Sequence, residues 1–125
     1  MTIAVLSSLI RTAIEPHLPD WVDARWFAST DELMEHVSEA EIGWFDLYDK
    51  EPMAEAVKRA EKMKWFNSIY AGLDFLPLDL MAQRNVTVTN GAGINAITIA
   101  EYTIMMMLNH AKGYREVVRA QDRRE

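Results

Sequence analysis

The chain contains no cysteine, which excludes a disulfide framework, a thiolate metal site and a cysteine nucleophile, and suits a reducing cytoplasmic setting. Positive charge is in deficit. Lys and Arg number 13 against 19 Asp and Glu, and a formal net charge of -6 argues against a surface built to neutralise phosphates. Nucleic acid is therefore not an expected partner. No basic lead-in precedes Ile3-Ala4-Val5-Leu6, and Arg11 interrupts before any small-residue cleavage site, so the N-terminus does not read as a signal peptide. The longest strongly apolar stretch, Tyr102 to Leu108, is far short of the ~20 residues a membrane helix needs. Membrane association is not expected either. What is present is 50% hydrophobic over 125 residues, enough for one sizeable core, which excludes intrinsic disorder.

Short apolar runs alternate with helical stretches, the pattern of a parallel sheet with crossover helices. Five strands are predicted: Ile3 to Leu6, Ala24 to Phe27, Glu41 to Phe45, Trp65 to Ile69 and Val86 to Val88. The intervening helices are read at Arg11 to Leu18, Glu32 to Val37 behind a Ser29-Thr30-Asp31 cap, Glu51 to Lys62 with Pro52 in its first turn, and Leu78 to Gln83. Thr98 to about Arg119 then reads as one long helix of ~22 residues, roughly 33 Å at 1.5 Å per residue. Thr98 and Glu101 have the spacing of a capping box. Ile99, Ala100, Tyr102 and Ile104 to Leu108 leave no polar face over two turns, which predicts a helix buried all round. The chain divides accordingly into residues 1–97 and a helix over 98–125.

Gly91-x-Gly93-x-x-Ala96, after a strand and before a helix, has the letters of a dinucleotide fingerprint. It lacks the context, because no further strand carrying an acidic residue follows the helix, and the first turn, Ser7-Ser8-Leu9, has no glycine. It is read as a flexible loop. In Trp65 to Asp74, WFNSIYAGLD, the strand ends near Tyr70 and Gly72 makes a turn. That leaves the N–H groups of Ala71, Gly72 and Leu73 free to accept an anion.

Other chemistries fail on missing partners. His17, His36 and His110 have no second ligand at metal-binding spacing; His36 reads as part of a solvated helix face and His110 as an interdomain hydrogen-bonding group. No serine sits in a nucleophile elbow. Trp21, Trp26, Trp44 and Trp65 are read as core and rim packing. Asp46 could be the acceptor of a phosphorylated receiver domain, but Ser7-Ser8 stand where the magnesium-binding acids should be. A flavin-binding module would need hydroxyl and glycine residues in that same first loop.

From about residue 65 to 110 the sequence resembles the N-terminal, substrate-binding domain of the D-2-hydroxyacid dehydrogenase family. The shared parts are the turn Ala71-Gly72-Leu73-Asp74, the short helix with Asp79, the strand Val86 to Asn90, and Thr98-Ile99-Ala100-Glu101-Tyr102, where family members more often have His in place of Tyr102. The resemblance implies an α/β, flavodoxin-like five-stranded parallel sheet with helices on both faces, and a long C-terminal crossover helix leading to a separate nucleotide-binding domain. It implies hydride transfer between NAD or NADP and the C2 carbon of a small 2-oxo or 2-hydroxy acid. The Arg, His and Glu of that chemistry are placed beyond the crossover helix, as is the nucleotide fingerprint, so no catalytic residue and no cofactor are expected in this stretch. What carries over is the substrate side of the cleft. Ala71, Gly72 and Leu73 are implied to grip the substrate carboxylate, Asn95 to hydrogen-bond the substrate, Phe45 to wall its pocket, and Ile99 to pack on the nicotinamide.

Two expectations follow. One is a substrate-binding domain that is catalytically silent alone and binds 2-oxo acids weakly; the other is a stand-alone flavodoxin-like module that acts by self-association. In either case the apolar surface of the long helix predicts a homodimer, by docking of two helices or by their exchange about a hinge at Gly91 to Asn95.

Overall fold

The computed structural model describes residues 1–124. Five strands form one sheet: β1 (Thr2–Ser7), β2 (Val22–Phe27), β3 (Ile42–Trp44), β4 (Trp65–Asn67) and β5 (Thr87–Thr89). All pairs are parallel and the order is β2-β1-β3-β4-β5, the flavodoxin-like order, in which every strand opens its carboxyl end on the same edge. The α-helices are α1 (Arg11–Ile14), α2 (Thr30–His36), α3 (Glu51–Arg59), α4 (Leu78–Gln83), α5 (Ala96–Ala111) and α6 (Tyr114–Arg123). Two compact units result, one over Met1–Gly91 and a second that begins at Ala92.

In the first unit the two-residue period of the strands sorts side chains onto two faces. One face carries Val5, Phe27, Phe45 and Phe66 into a core closed by Leu33 of α2, Met53 and Val57 of α3 and Met81 of α4. Phe45 stacks edge-on against Phe27 and Phe66, with centroids at 6.5 and 5.5 Å. The opposite face shows Ala4, Leu6, Ile42 and Trp44, with Ile14 of α1 and Leu18 beside them around an apolar hollow of about 330 Å³. Helices thus flank both faces, one heavily and one lightly.

Several expected boundaries move for identifiable reasons. The first helix stops at Ile14 and continues only as a 3-10 turn over Glu15–His17, because Pro16 cannot donate the next helical hydrogen bond. The expected cap of α2 forms, with Ser29 Oγ accepting the Glu32 N–H at 3.2 Å, while Glu32 reaches back to the Ala28 N–H at 2.7 Å. The long helix is different. It begins at Ala96 with Asn95 as its N-cap, which places Thr98 and Glu101 inside it, so the expected capping box does not form. It is also not continuous to Arg119, since Gly113 takes a left-handed φ of +58° that a helix interior forbids and α6 starts afresh at Tyr114. Finally, no residue of α5 is buried, against the expected burial all round; two successive helices have no core of their own to supply it.

Candidate functional site

The site is built from the carboxyl end of β4 and its neighbours. After Asn67 the chain leaves the sheet and turns through Ser68 to Leu73. Two carbonyls in this turn are held from the β5 side: Tyr70 O accepts the Gly91 N–H at 3.2 Å, and Ala71 O accepts from Asn90 Nδ2 at 2.6 Å. In a planar trans peptide the N–H lies opposite its carbonyl. The Ala71 and Gly72 N–H groups therefore both point away from Asn90 and Gly91, on one side of the turn. Among the described residues no acceptor takes the N–H of Ala71, Gly72 or Leu73, and both Ala71 and Gly72 are exposed. Adjacent backbone donors aimed the same way are groups from which one anion can accept.

Gly72 does not serve the turn through a left-handed conformation, since its φ is not among the positive ones. Its role is space. A Cβ there would lie 3.3 Å from Asp74 Oδ1, tight enough to push that carboxylate or tilt the turn.

On the other side, the turn is fastened to β3. Asp46, 1% exposed, accepts the Ile69 N–H at 2.7 Å and the Ser68 hydroxyl at 2.6 Å, and it also accepts from Trp44 Nε1. Ser68 Oγ in turn accepts the Tyr70 N–H at 3.2 Å, and the Tyr70 hydroxyl donates to Leu47 O at 2.9 Å. Sequence reasoning weighed Asp46 only as a phosphoacceptor. The signal for its actual place was a carboxylate and a serine ending two neighbouring apolar strands.

The remaining expected site residues lie elsewhere. Phe45 is fully enclosed between Phe27 and Phe66, which leaves its ring no surface for a ligand; it is a core residue and not a pocket wall here. Asn95 and Ile99 belong to the second unit. Asn95 is exposed, its carbonyl accepting the Ile99 N–H at 2.9 Å, and Ile99 is 62% exposed in the first turn of α5. The Gly91 to Asn95 loop carries one left-handed residue, Gly93 at φ +85°. His110 is exposed. Among the described residues, no group of three His, Asp or Glu side chains could hold a metal ion, and no helix is long and apolar enough to cross a membrane.

Residues 3–121 match the catalytic domain of D-isomer specific 2-hydroxyacid dehydrogenases. The chain belongs to this family. An erythronate-4-phosphate dehydrogenase from Shewanella loihica is 33% identical over 54 residues, 43% of this chain and 14% of that protein. Among solved structures, a D-isomer specific 2-hydroxyacid dehydrogenase family protein from Aeromonas salmonicida is 25% identical, with a TM-score of 0.70 over 98% of this chain and 39% of that one. A D-lactate dehydrogenase from Aquifex aeolicus, complexed with NAD and lactic acid, shares the fold at 18% identity, with a TM-score of 0.59 over 96% of this chain and 37% of that one. The chain thus spans about two fifths of the length of these solved family members.

Proposed function

We propose that these residues form the substrate-binding part of an NAD- or NADP-dependent D-2-hydroxyacid dehydrogenase, and that the Ala71–Leu73 turn grips the carboxylate of a small 2-oxo or 2-hydroxy acid. The observation that carries the reading is the pair of peptide planes fixed by Asn90 and Gly91, which present the Ala71 and Gly72 N–H groups side by side with no acceptor among the described residues. A carboxylate satisfies two such donors at once, and charge-assisted bonds are the stronger kind. Asn95 is a further substrate contact in this reading. Ile99 offers an exposed apolar side chain suited to the face of a nicotinamide ring, which accepts and delivers the hydride when the cofactor is bound. The 125 residues bind and orient; they are not expected to catalyse alone.

Binding to this part alone is in the millimolar range or weaker, because two or three backbone donors compete with water when nothing excludes it. The test is an amide-resolved NMR titration of the chain with glyoxylate, pyruvate and hydroxypyruvate. Ala71, Gly72 and Leu73 should shift first. Shifts confined to other loops, or NADH oxidation by a preparation free of host dehydrogenases, would contradict the reading.

A second reading, association with a copy of itself, draws on the apolar side chains of α5. Ile104, Met107 and Leu108 are 57%, 64% and 55% exposed. The two readings draw on different residues, the Ala71–Leu73 turn for the first and α5 for the second.

A further inference from the structure

We propose that Asp46 is a positioning residue for carboxylate binding: it holds Ser68, Ile69 and Tyr70 in place so that the anion seat consists of the next N–H groups in the chain. This rests on the carboxylate-gripping role given above to the Ala71–Leu73 turn.

The Ser68 N–H still bonds the Thr89 carbonyl of β5 at 3.2 Å; the four residues after it, Ile69 to Gly72, have left the sheet, and any of their amides could in principle face a ligand. Asp46 decides which do. Its Oδ2 takes the Ile69 N–H at 2.7 Å and the Trp44 indole N–H, and its Oδ1 takes the Ser68 hydroxyl at 2.6 Å. Ser68 then uses its free lone pair on the Tyr70 N–H at 3.2 Å. The donors of Ile69 and Tyr70 are thereby turned inward, and Ala71 is the first residue whose N–H is left for an incoming anion. The Asp46–Ser68 bond at the centre of the network is buried, with the two residues at 1% and 2% exposure, while the bonds to Trp44, Ile69 and Tyr70 are partly buried. Water substitutes poorly for the central bond, so the turn is held in place before a ligand arrives. Preorganised donors bind with less ordering cost than mobile ones.

The carboxylate has a second consequence. It brings a negative charge close to the place where another must bind, and three donors offset it. The side chain's shape and acceptor pattern, more than its charge, serve the turn. Asparagine can reproduce most of that pattern: its Oδ1 in the Oδ2 position accepts both N–H groups, and its Nδ2 donates to Ser68 Oγ once the hydroxyl reverses. Alanine can reproduce none of it.

The experiment is the same glyoxylate titration on Asp46→Asn and Asp46→Ala, read as the dissociation constant at the Ala71, Gly72 and Leu73 amides. Asp46→Asn should bind as well as the wild type or more tightly, having lost a like charge, and Asp46→Ala should bind about tenfold more weakly. Equal affinity for Asp46→Ala and the wild type would overturn the proposal, as would a loss in Asp46→Asn equal to that in Asp46→Ala. Should Asp46→Ala fail to fold, Ser68→Ala, which frees the Tyr70 N–H and removes one donor from Asp46, must weaken glyoxylate in the same way, and wild-type affinity there would overturn it. If the wild-type turn itself ignores glyoxylate, pyruvate and hydroxypyruvate, the carboxylate-gripping role falls first and takes this inference with it, an outcome distinct from unchanged binding in the variants.

Discussion

The Asn90 side-chain amide donates to the Ala71 carbonyl at 2.6 Å, tying the residue that follows β5 to the turn that follows β4. The bond fixes the plane of the Ala71–Gly72 peptide and so the direction of the Gly72 N–H. Asn90 is exposed, so removing its side chain leaves the Ala71 carbonyl to water. We expect Asn90→Ala to change global stability by less than about 0.5 kcal/mol, yet to weaken glyoxylate severalfold at the turn. Urea unfolding and amide titration check the two halves separately. Wild-type affinity in a folded Asn90→Ala chain would show that the plane of this peptide does not matter.

The core makes a contrasting expectation at Gly43. A Cβ added there would lie 2.8 Å from Met63 Sδ and 2.9 Å from Phe45 Cζ, closer than packed atoms allow. Gly43 is buried in β3, with Phe45 itself locked edge-on between two rings. Gly43→Ala should cost about 1 to 3 kcal/mol through overpacking, measured as a drop in the urea midpoint at unchanged slope. The methionine sulfur can move more readily than the ring. Pairing the change with Met63→Ala should therefore give a double variant less destabilised than the sum of the two singles.

Much of this fold was legible because sheet and helix periods differ. The short apolar runs that hold Val5, Phe27 and Phe66 marked their strands by contrast with the helical spacing between them, and α4 matched its expected range of Leu78 to Gln83 because the run is bounded by Pro77 and the Asn85 turn. The second unit was harder to read. Local sequence around Thr98 and Glu101 permits a capping box, but the backbone had already entered helix at Ala96. The apolar circumference of α5 signals contact without saying with what, so inferring burial within the chain was a step too far. The turn at Ala71 to Leu73 was visible as a Gly-containing strand end. Its fastening was not, because Asp46, Ser68 and Asn90 lie 22 to 44 residues apart and only the sheet order brings them together.

Acid should weaken the first unit through Glu41. Its carboxylate accepts from Lys64 Nζ at 2.6 Å and from the Ile3 N–H at 3.4 Å, and these partners, the lysine first, hold it below the ordinary glutamate range. A group with a lowered pKa in the folded state contributes stability that is present above its unfolded value, about 4.3, and is lost as pH falls through the lower folded value. Stability measured by urea between pH 7 and 5 should not respond to this group. Below about pH 4.3 it should decline, and Glu41→Gln should flatten that part of the profile. Glu15, lowered by Arg11, acts over the same range, so a residual slope in Glu41→Gln is expected, whereas an acid limb identical to the wild type would exclude Glu41 as a contributor.

The helix α5 yields the last expectation, which concerns association. Ile104, Met107 and Leu108 stand at i, i+3 and i+4, one stripe along the helix, and each is more than half exposed. Leaving three such side chains in water forfeits roughly 1.5 to 3 kcal/mol apiece, a large share of the ~5 to 15 kcal/mol that holds a domain together. A second copy is the partner always available at the same concentration. A two-fold axis would set the same stripe against itself, so no complementary surface has to exist elsewhere. The chain should therefore run at twice its 14.3 kDa mass in light scattering at tens of micromolar. Ile104→Lys with Leu108→Lys places two like charges on the stripe of each copy and should return the monomer mass. Helix content by circular dichroism should stay unchanged, because both positions are exposed and lysine is a good helix former. A wild-type chain that scatters as a monomer at these concentrations would refute the dimer, and a lysine variant that remains dimeric would move the interface off α5.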